Sequence, residues 1–235
     1  MKHQKKLKNN LSGSFLIVLF LGTLWGFSEV VLSSAIKTAG IPYRAGILTG
    51  IGIGILAFAF TSTKKTYLIP VVAAIALFCK QLVVPILSVN LSCTANSCLA
   101  VFIQTGVVFS LLTLTRNKNY GFTGRAALGA FAGMMSAAVF YPLGLGLVPC
   151  NYLLSFASAG GMSTFLIQEG LFWALFSGVL FPAGFALGKR LSEDRVFSFQ
   201  LNSGFAIVYW SLIVLLWAGS VLIISTGQYD YLLKL

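Results

Sequence analysis

The chain is a succession of apolar runs separated by short polar stretches, most of the runs close to the roughly 20 residues that a helix needs to cross a hydrocarbon core. That pattern excludes most folds. Of the 235 residues 57% are hydrophobic and only 9% are charged, against about a quarter charged in an average soluble domain, and the mean hydropathy is +0.91. A soluble core cannot absorb so much apolar surface. The expected fold class is therefore an all-α integral membrane protein, a polytopic helical bundle, with room for one membrane domain and no sizeable soluble one. The 24 glycines and 20 phenylalanines fit this class, since glycine lets membrane helices approach closely and phenylalanine suits a lipid-facing surface.

Seven segments read as spans, approximately Leu11 to Ile36, Ala45 to Phe60, Tyr67 to Val89, Cys98 to Thr115, Phe122 to Val148, Phe165 to Leu187 and Phe205 to Ser225. The second is short. The stretch from Cys150 to Thr164 is rich in Ser, Ala and Gly and reads as an external loop, partly re-entrant or interfacial. The division that follows is a basic N-terminus over 1–10, a six-helix core over 11–191, and a polar loop with an appended seventh helix and short external tail over 192–235. The first segment is far longer than the 7 to 15 residues of a signal-peptide apolar region, so it reads as a retained span.

Basic residues test this division independently, because they collect on the cytoplasmic side of membrane proteins. Lys2, Lys5, Lys6 and Lys8 lie before the first span, Lys64 and Lys65 in the second loop, Arg116, Lys118 and Arg125 around the fourth, and Lys189, Arg190 and Arg195 around the sixth. Lys37, Arg44 and Lys234 fall on the other side, and Lys80 lies inside a span. The alternation places the N-terminus in the cytoplasm and the C-terminus outside a cytoplasmic, bacterial-type membrane. It also accounts for the net charge of +11 without invoking nucleic acid, since no extended basic domain is present.

Two of the five acidic residues, Glu29 and Glu169, lie within apolar segments, where a charge costs at least a few kcal/mol unless paired, protonated or wet. On the assigned topology Glu29, Lys80, Gln104 and Glu169 all occupy the outer half of the membrane. Gln81 and Gln168 are their sequence neighbours, with Asn90 and Asn96 in the loop above. Together they would line one outward-facing polar pocket that binds a small solute. The alternative is purely structural: Lys80 pairs with Glu29 or Glu169 and fixes helix packing, leaving one acid in excess.

Cys93 and Cys98 bracket a short external loop and Cys150 lies in the next one. Their placement on the oxidising side favours a disulfide, first Cys93 with Cys98, with Cys150 able to replace either partner. The sharper alternative is a thiol-redox or soft-metal site built from all three, although the C-x4-C spacing is not that of a zinc knuckle. Cys79 reads as a packing residue. Four small-xxx-small pairs, Gly22 and Gly26, Gly50 and Gly54, Gly129 and Gly133, and Gly184 and Gly188, mark faces where another helix can come close.

Soluble catalytic apparatus is missing from the sequence. It contains no G-x-x-x-x-G-K-[ST] phosphate loop, no H-E-x-x-H and no G-x-S-x-G, and its one histidine is His3. The chain therefore reads as a non-enzyme without a resident cofactor, its metal chemistry left open, with an intramembrane enzyme using Glu29 or Glu169 the alternative that has no positive signature.

The stretch Leu24-Trp-Gly-Phe-Ser-Glu-Val-Val-Leu32, with Gly40-Ile-Pro-Tyr-Arg-Ala-Gly46 and Leu48-Thr-Gly-Ile-Gly52, resembles small bacterial membrane proteins related to the substrate-binding S components of energy-coupling factor transporters. The resemblance covers about the first third of the chain. It implies some six helices, capture of a micronutrient from outside, a membrane T component and two ATPase subunits as partners, Glu29 in the site, and Gly22 and Gly26 as the docking face of the first helix. The N-terminal histidine arrangement of the metal-specific members is missing, which disfavours nickel or cobalt. The leading functional expectation is a solute-binding transport subunit with separate ATPase partners. The runners-up are a non-transporting structural or assembly subunit, and an extracytoplasmic thiol-redox or metal-handling protein.

Overall fold

The computed structural model describes residues 2–81, 91–116, 118–193 and 203–225. Every regular element among them is helical. A first long helix is built from α1 (Lys2–Phe27), a π turn (Ser28–Leu32) and α2 (Ser33–Thr38). It is followed by α3 (Arg44–Thr63) and by a 3-10 turn leading into α4 (Ile69–Gln81). The chain continues with α5 (Leu91–Leu114), α6 (Phe122–Leu147) and the short α7 (Asn151–Ser158). Next, α8 (Met162–Phe165) runs through a second π turn (Leu166–Gly170) into α9 (Leu171–Glu193), and α10 (Ser203–Ser225) comes last.

All seven apolar segments fall on helix where they are described. Five described helices are long and apolar enough to cross a membrane, over Ser14–Thr38, Arg44–Thr63, Ala95–Leu114, Phe122–Leu147 and Met162–Ser192, and Thr66–Gln81 and Trp210–Leu222 are shorter apolar helices. Helical geometry suits such sequences because each backbone N–H is bonded within its own segment. Hydroxyl groups are handled the same way: Thr63, Thr105 and Ser136 each donate to the carbonyl four residues back, at 2.7 Å. One correction concerns a loop: the segment expected as a loop from Asn90 to Cys98 is helical from Leu91 onward. The segment from Cys150 to Thr164, expected as partly re-entrant or interfacial, contains the short α7, whose Leu153 is fully buried.

Glycine stripes decide the packing. The pair α3 and α9 runs parallel and in close contact: a methyl group on Gly50 would lie 2.7 Å from Phe176 Cβ, and one on Gly54 would lie 2.9 Å from the Leu180 carbonyl oxygen. On the facing side Gly184 abuts the Gly54 backbone and Gly188 abuts Phe58. With two stripes of small residues meeting, the backbones themselves form the interface. Gly129 and Gly133 admit α9 against α6 in the same manner, so three of the four small-residue pairs serve packing within the bundle.

The fourth pair does so as well, which overturns a docking role. Gly22 and Gly26 face α4, where a methyl on Gly22 would lie 2.6 Å from Ile75 Cβ and one on Gly26 would collide with Cys79. That face of the first helix is already covered. Around the bundle, α1 packs on α4, α4 on α5, α5 on α6, α6 on α9 and α9 on α3, which also touches α1 and α5. The last helix, α10, lies along α1, with the Trp217 indole donating to the Thr23 hydroxyl at 3.4 Å and the Trp217 ring tilted against Phe78. Large apolar side chains such as Phe78, Phe102, Leu175, Val179 and Leu215 are exposed on the outside of the bundle.

If the α3–α9 contact is backbone-limited, Gly184→Leu will overpack it and lower stability by at least about 1–3 kcal/mol. Gly106→Ala, at a position with open space around it, will leave stability unchanged or slightly raised. Thermal unfolding of the detergent-solubilised protein separates the two.

Candidate functional site

Both carboxylates of the apolar segments sit in π turns. Glu29 lies in the turn over Ser28–Leu32 and Glu169 in that over Leu166–Gly170. Each turn is closed by an i→i−5 bond, from the Ser33 N–H to the Ser28 carbonyl and from the Leu171 N–H to the Leu166 carbonyl. A π turn inserts one extra residue into the helical ladder and re-aims the side chains around it, and such turns concentrate at functional sites.

Glu29 is turned toward α4. Lys80 Nζ lies 2.5 Å from Glu29 Oε2, with the two side chains 10% and 6% exposed, and Lys80 also donates to the Ser97 hydroxyl on α5. Three helices thus meet on one ammonium group. Of the two pairings open from the sequence, the structure forms Lys80 with Glu29. Next to Lys80, the Gln81 amide donates to Cys98 Sγ at 3.1 Å.

One residue before Ser97, Asn96 extends the polar layer across the bundle by donating from Nδ2 to Cys150 Sγ at 3.0 Å. Cys150 caps α7, which folds back on α6. Beyond it Glu169 lies against the Tyr152 hydroxyl and the Trp173 indole, with Arg44 as an additional positive charge acting on it. Desolvation and the Glu169 carboxyl push the Tyr152 phenol above its ordinary range, so the hydroxyl stays protonated and serves as a donor. Around this group stand aromatic rings, with Tyr141 stacked on Phe165 at 5.0 Å, Phe156 edge-on to Phe165 at 5.2 Å and Phe140 tilted against Trp173 at 5.5 Å between centroids.

The layer is incompletely satisfied. Asn96 Oδ1, Tyr141 Oη, Glu169 Oε2 and Trp173 Nε1 are buried without a hydrogen-bond partner. Buried polar atoms are nearly always paired in native proteins; these four stand on elements that meet at one end of the bundle, and Trp25 Nε1 and Ser177 Oγ are unpaired elsewhere in it. Gln104 lies about two turns further along α5, where it donates to the Thr49 hydroxyl at 3.1 Å and leaves its Oε1 unpaired.

The expected six-residue pocket is therefore redistributed. Glu29, Lys80 and Gln81 form one group with Ser97 and Cys98; Glu169 belongs to a second group with Tyr152, Trp173 and Arg44; and Gln104 stands with Thr49. Gln168 is exposed on the outside of its helix and leaves the site, because the helical turn that points Glu169 inward points its neighbour away. Asn90 lies outside the described residues. Ser97, Tyr141, Tyr152 and Trp173 were not singled out from sequence, although the four-residue spacing of Glu169 and Trp173 places both on one helix face.

The cysteines are also corrected. Cys98 and Cys150 are free thiols, and Cys93 and Cys98 stand on the same helix five residues apart. That spacing separates them by about 7.5 Å along the axis, beyond the usual Cα separation of a disulfide. The side chain of Cys93 lies outside the described residues. Among those described, no three His, Cys, Asp or Glu side chains converge as metal ligands.

Two outcomes follow. Cys98 and Cys150 will be alkylated by N-ethylmaleimide in denatured, unreduced protein, and a disulfide-linked peptide containing either one contradicts the geometry. Lys80→Met, which leaves the Glu29 carboxylate buried and alone, will cost about 3–5 kcal/mol. Adding Glu29→Gln will restore most of that loss in a double-mutant cycle of thermal unfolding.

No known protein family, characterised protein or solved structure matches this chain.

Proposed function

We propose that the chain is a multi-pass protein of a cytoplasmic-type membrane that binds a small solute in the polar layer at the α7 end of the bundle, as the solute-binding subunit of a transporter with separate ATPase partners. The membrane assignment is supported by five helices of spanning length and apolarity and by the exposed apolar side chains on the outside of the bundle. Its direction follows from charge. Lys64, Lys65, Arg116 and Lys118 occupy turns at the end opposite α7, so the positive-inside rule turns the polar layer outward.

The observation that carries the solute reading is the set of four orphaned atoms. Asn96 Oδ1 requires a donor and the Tyr141 hydroxyl takes either, while Glu169 Oε2 and the Trp173 indole N–H lie against each other without a well-aligned bond, so that a solute group can enter between them. The matching solute offers both kinds of group and a flat face for the surrounding rings. Glu29 and Lys80 are already partnered, and their role in this reading is to hold α1, α4 and α5 in place beside the site. The lack of a phosphate loop assigns any ATP hydrolysis to other subunits.

Native mass spectrometry of the protein purified in mild detergent tests the proposal. The expected result is a retained small molecule and co-purifying subunits, with the small molecule lost from Glu169→Gln at an unchanged thermal transition. A ligand-free monomer, or retention that Glu169→Gln does not alter, overturns it.

A further inference from the structure

At the end of the bundle opposite the polar layer, a cleft of about 280 Å³ opens between α3, α5, α6 and α9. Four cations line it. Lys64 ends α3 in a left-handed conformation (φ 57°), Arg116 and Lys118 lie in the turn after α5, and Arg125 stands in the first turn of α6. The lining contains no carboxylate, and among the described residues none of the four cations is engaged in an ion pair. The floor is apolar, with Phe60, Phe181 and Phe185 beneath the charges. Arg125 is held over this floor, its guanidinium carbon 4.6 Å from the centre of the Phe185 ring, a cation–π contact that orients the group without neutralising it.

Like charges brought together around a concavity repel one another unless an anion joins them. Two guanidinium groups suit the paired oxygens of a phosphate, and two ammonium groups add point charges beside it. An aromatic and aliphatic floor under the charges has no use for a bare inorganic ion but does receive the carbon skeleton of an ester. We propose that this cleft binds a phosphate ester, its phosphate among Lys64, Arg116, Lys118 and Arg125 and its organic substituent on Phe60, Phe181 and Phe185. Two sources share that chemistry: the headgroup of an anionic phospholipid, for which basic pockets between membrane helices are a known receptor type, and a soluble phosphate ester. The inference stands independently of the solute site, with which it shares no residue.

The test uses the full chain in neutral detergent, with binding read by native mass spectrometry for phosphatidylglycerol, phosphatidylcholine and glycerol 3-phosphate. The expected result is retention of phosphatidylglycerol at least tenfold above phosphatidylcholine if the source is lipid, or saturable binding of glycerol 3-phosphate if it is soluble. Either signal should fall at least tenfold in the Arg116→Gln, Lys118→Gln double variant, both positions being exposed in a turn and tolerant of the change. A Lys5→Gln, Lys6→Gln variant, which removes the same charge elsewhere, should keep the signal. Binding of neither anionic probe, equal retention of the two lipids without glycerol 3-phosphate binding, or equal loss in both variants overturns the proposal.

Discussion

A carboxylate and an ammonium group buried among apolar helices must find each other, and the contact between Glu29 and Lys80 organises one side of this bundle. Neither charge has water to fall back on, so separating them costs far more than a surface ion pair contributes. The constraint propagates through the three helices it joins. Lys80 stands in the last turn of α4 and reaches both α1 and α5, because it also donates to Ser97. The π turn at Ser28–Leu32 belongs to the same arrangement, since it sets the direction in which Glu29 leaves the first helix.

On the other side of the bundle the binding force is different. There α3 and α9 meet through glycines, and dispersion between closely approached backbones replaces charge pairing. The resulting division is mechanical. The glycine-zipped pair, with α6 laid against it, has little freedom to repack, while the α7 end carries the thiols, the rings and the orphaned polar atoms. A site whose donors and acceptors are left open beside a rigid wall is well suited to a ligand that completes them. The basic cleft at the opposite end shares α3, α6 and α9 with that wall, so the two ends are joined by continuous helices.

Much of the architecture was legible in the sequence because hydropathy and helical length are local properties. The apolar segments fell on helices, the small-residue pairs at Gly50, Gly54, Gly129, Gly133, Gly184 and Gly188 marked close contacts, and Lys80 did pair with one of two candidate acids. What failed depended on orientation. A one-residue insertion into a helix leaves no trace in composition, so neither π turn was visible, and Gln168 was grouped with Glu169 although their side chains diverge. Gly22 and Gly26 have the spacing of a docking face, but spacing does not say whether the partner is another protein or α4. The polar composition around Cys93 and Cys98 suggested a loop, whereas the chain there is already helical.

The central claim is that this bundle spans a membrane with its polar layer outward and its basic cleft inward. Accessibility of single cysteines in intact cells tests that polarity most directly, with Cys79, Cys93, Cys98 and Cys150 replaced and one cysteine returned at Gly160 or at Asn119. A membrane-impermeant maleimide should label the Gly160 position in intact cells and the Asn119 position only after permeabilisation. Labelling of Asn119 and protection of Gly160 in intact cells, or equal labelling of both in the absence of permeabilisation, contradicts it.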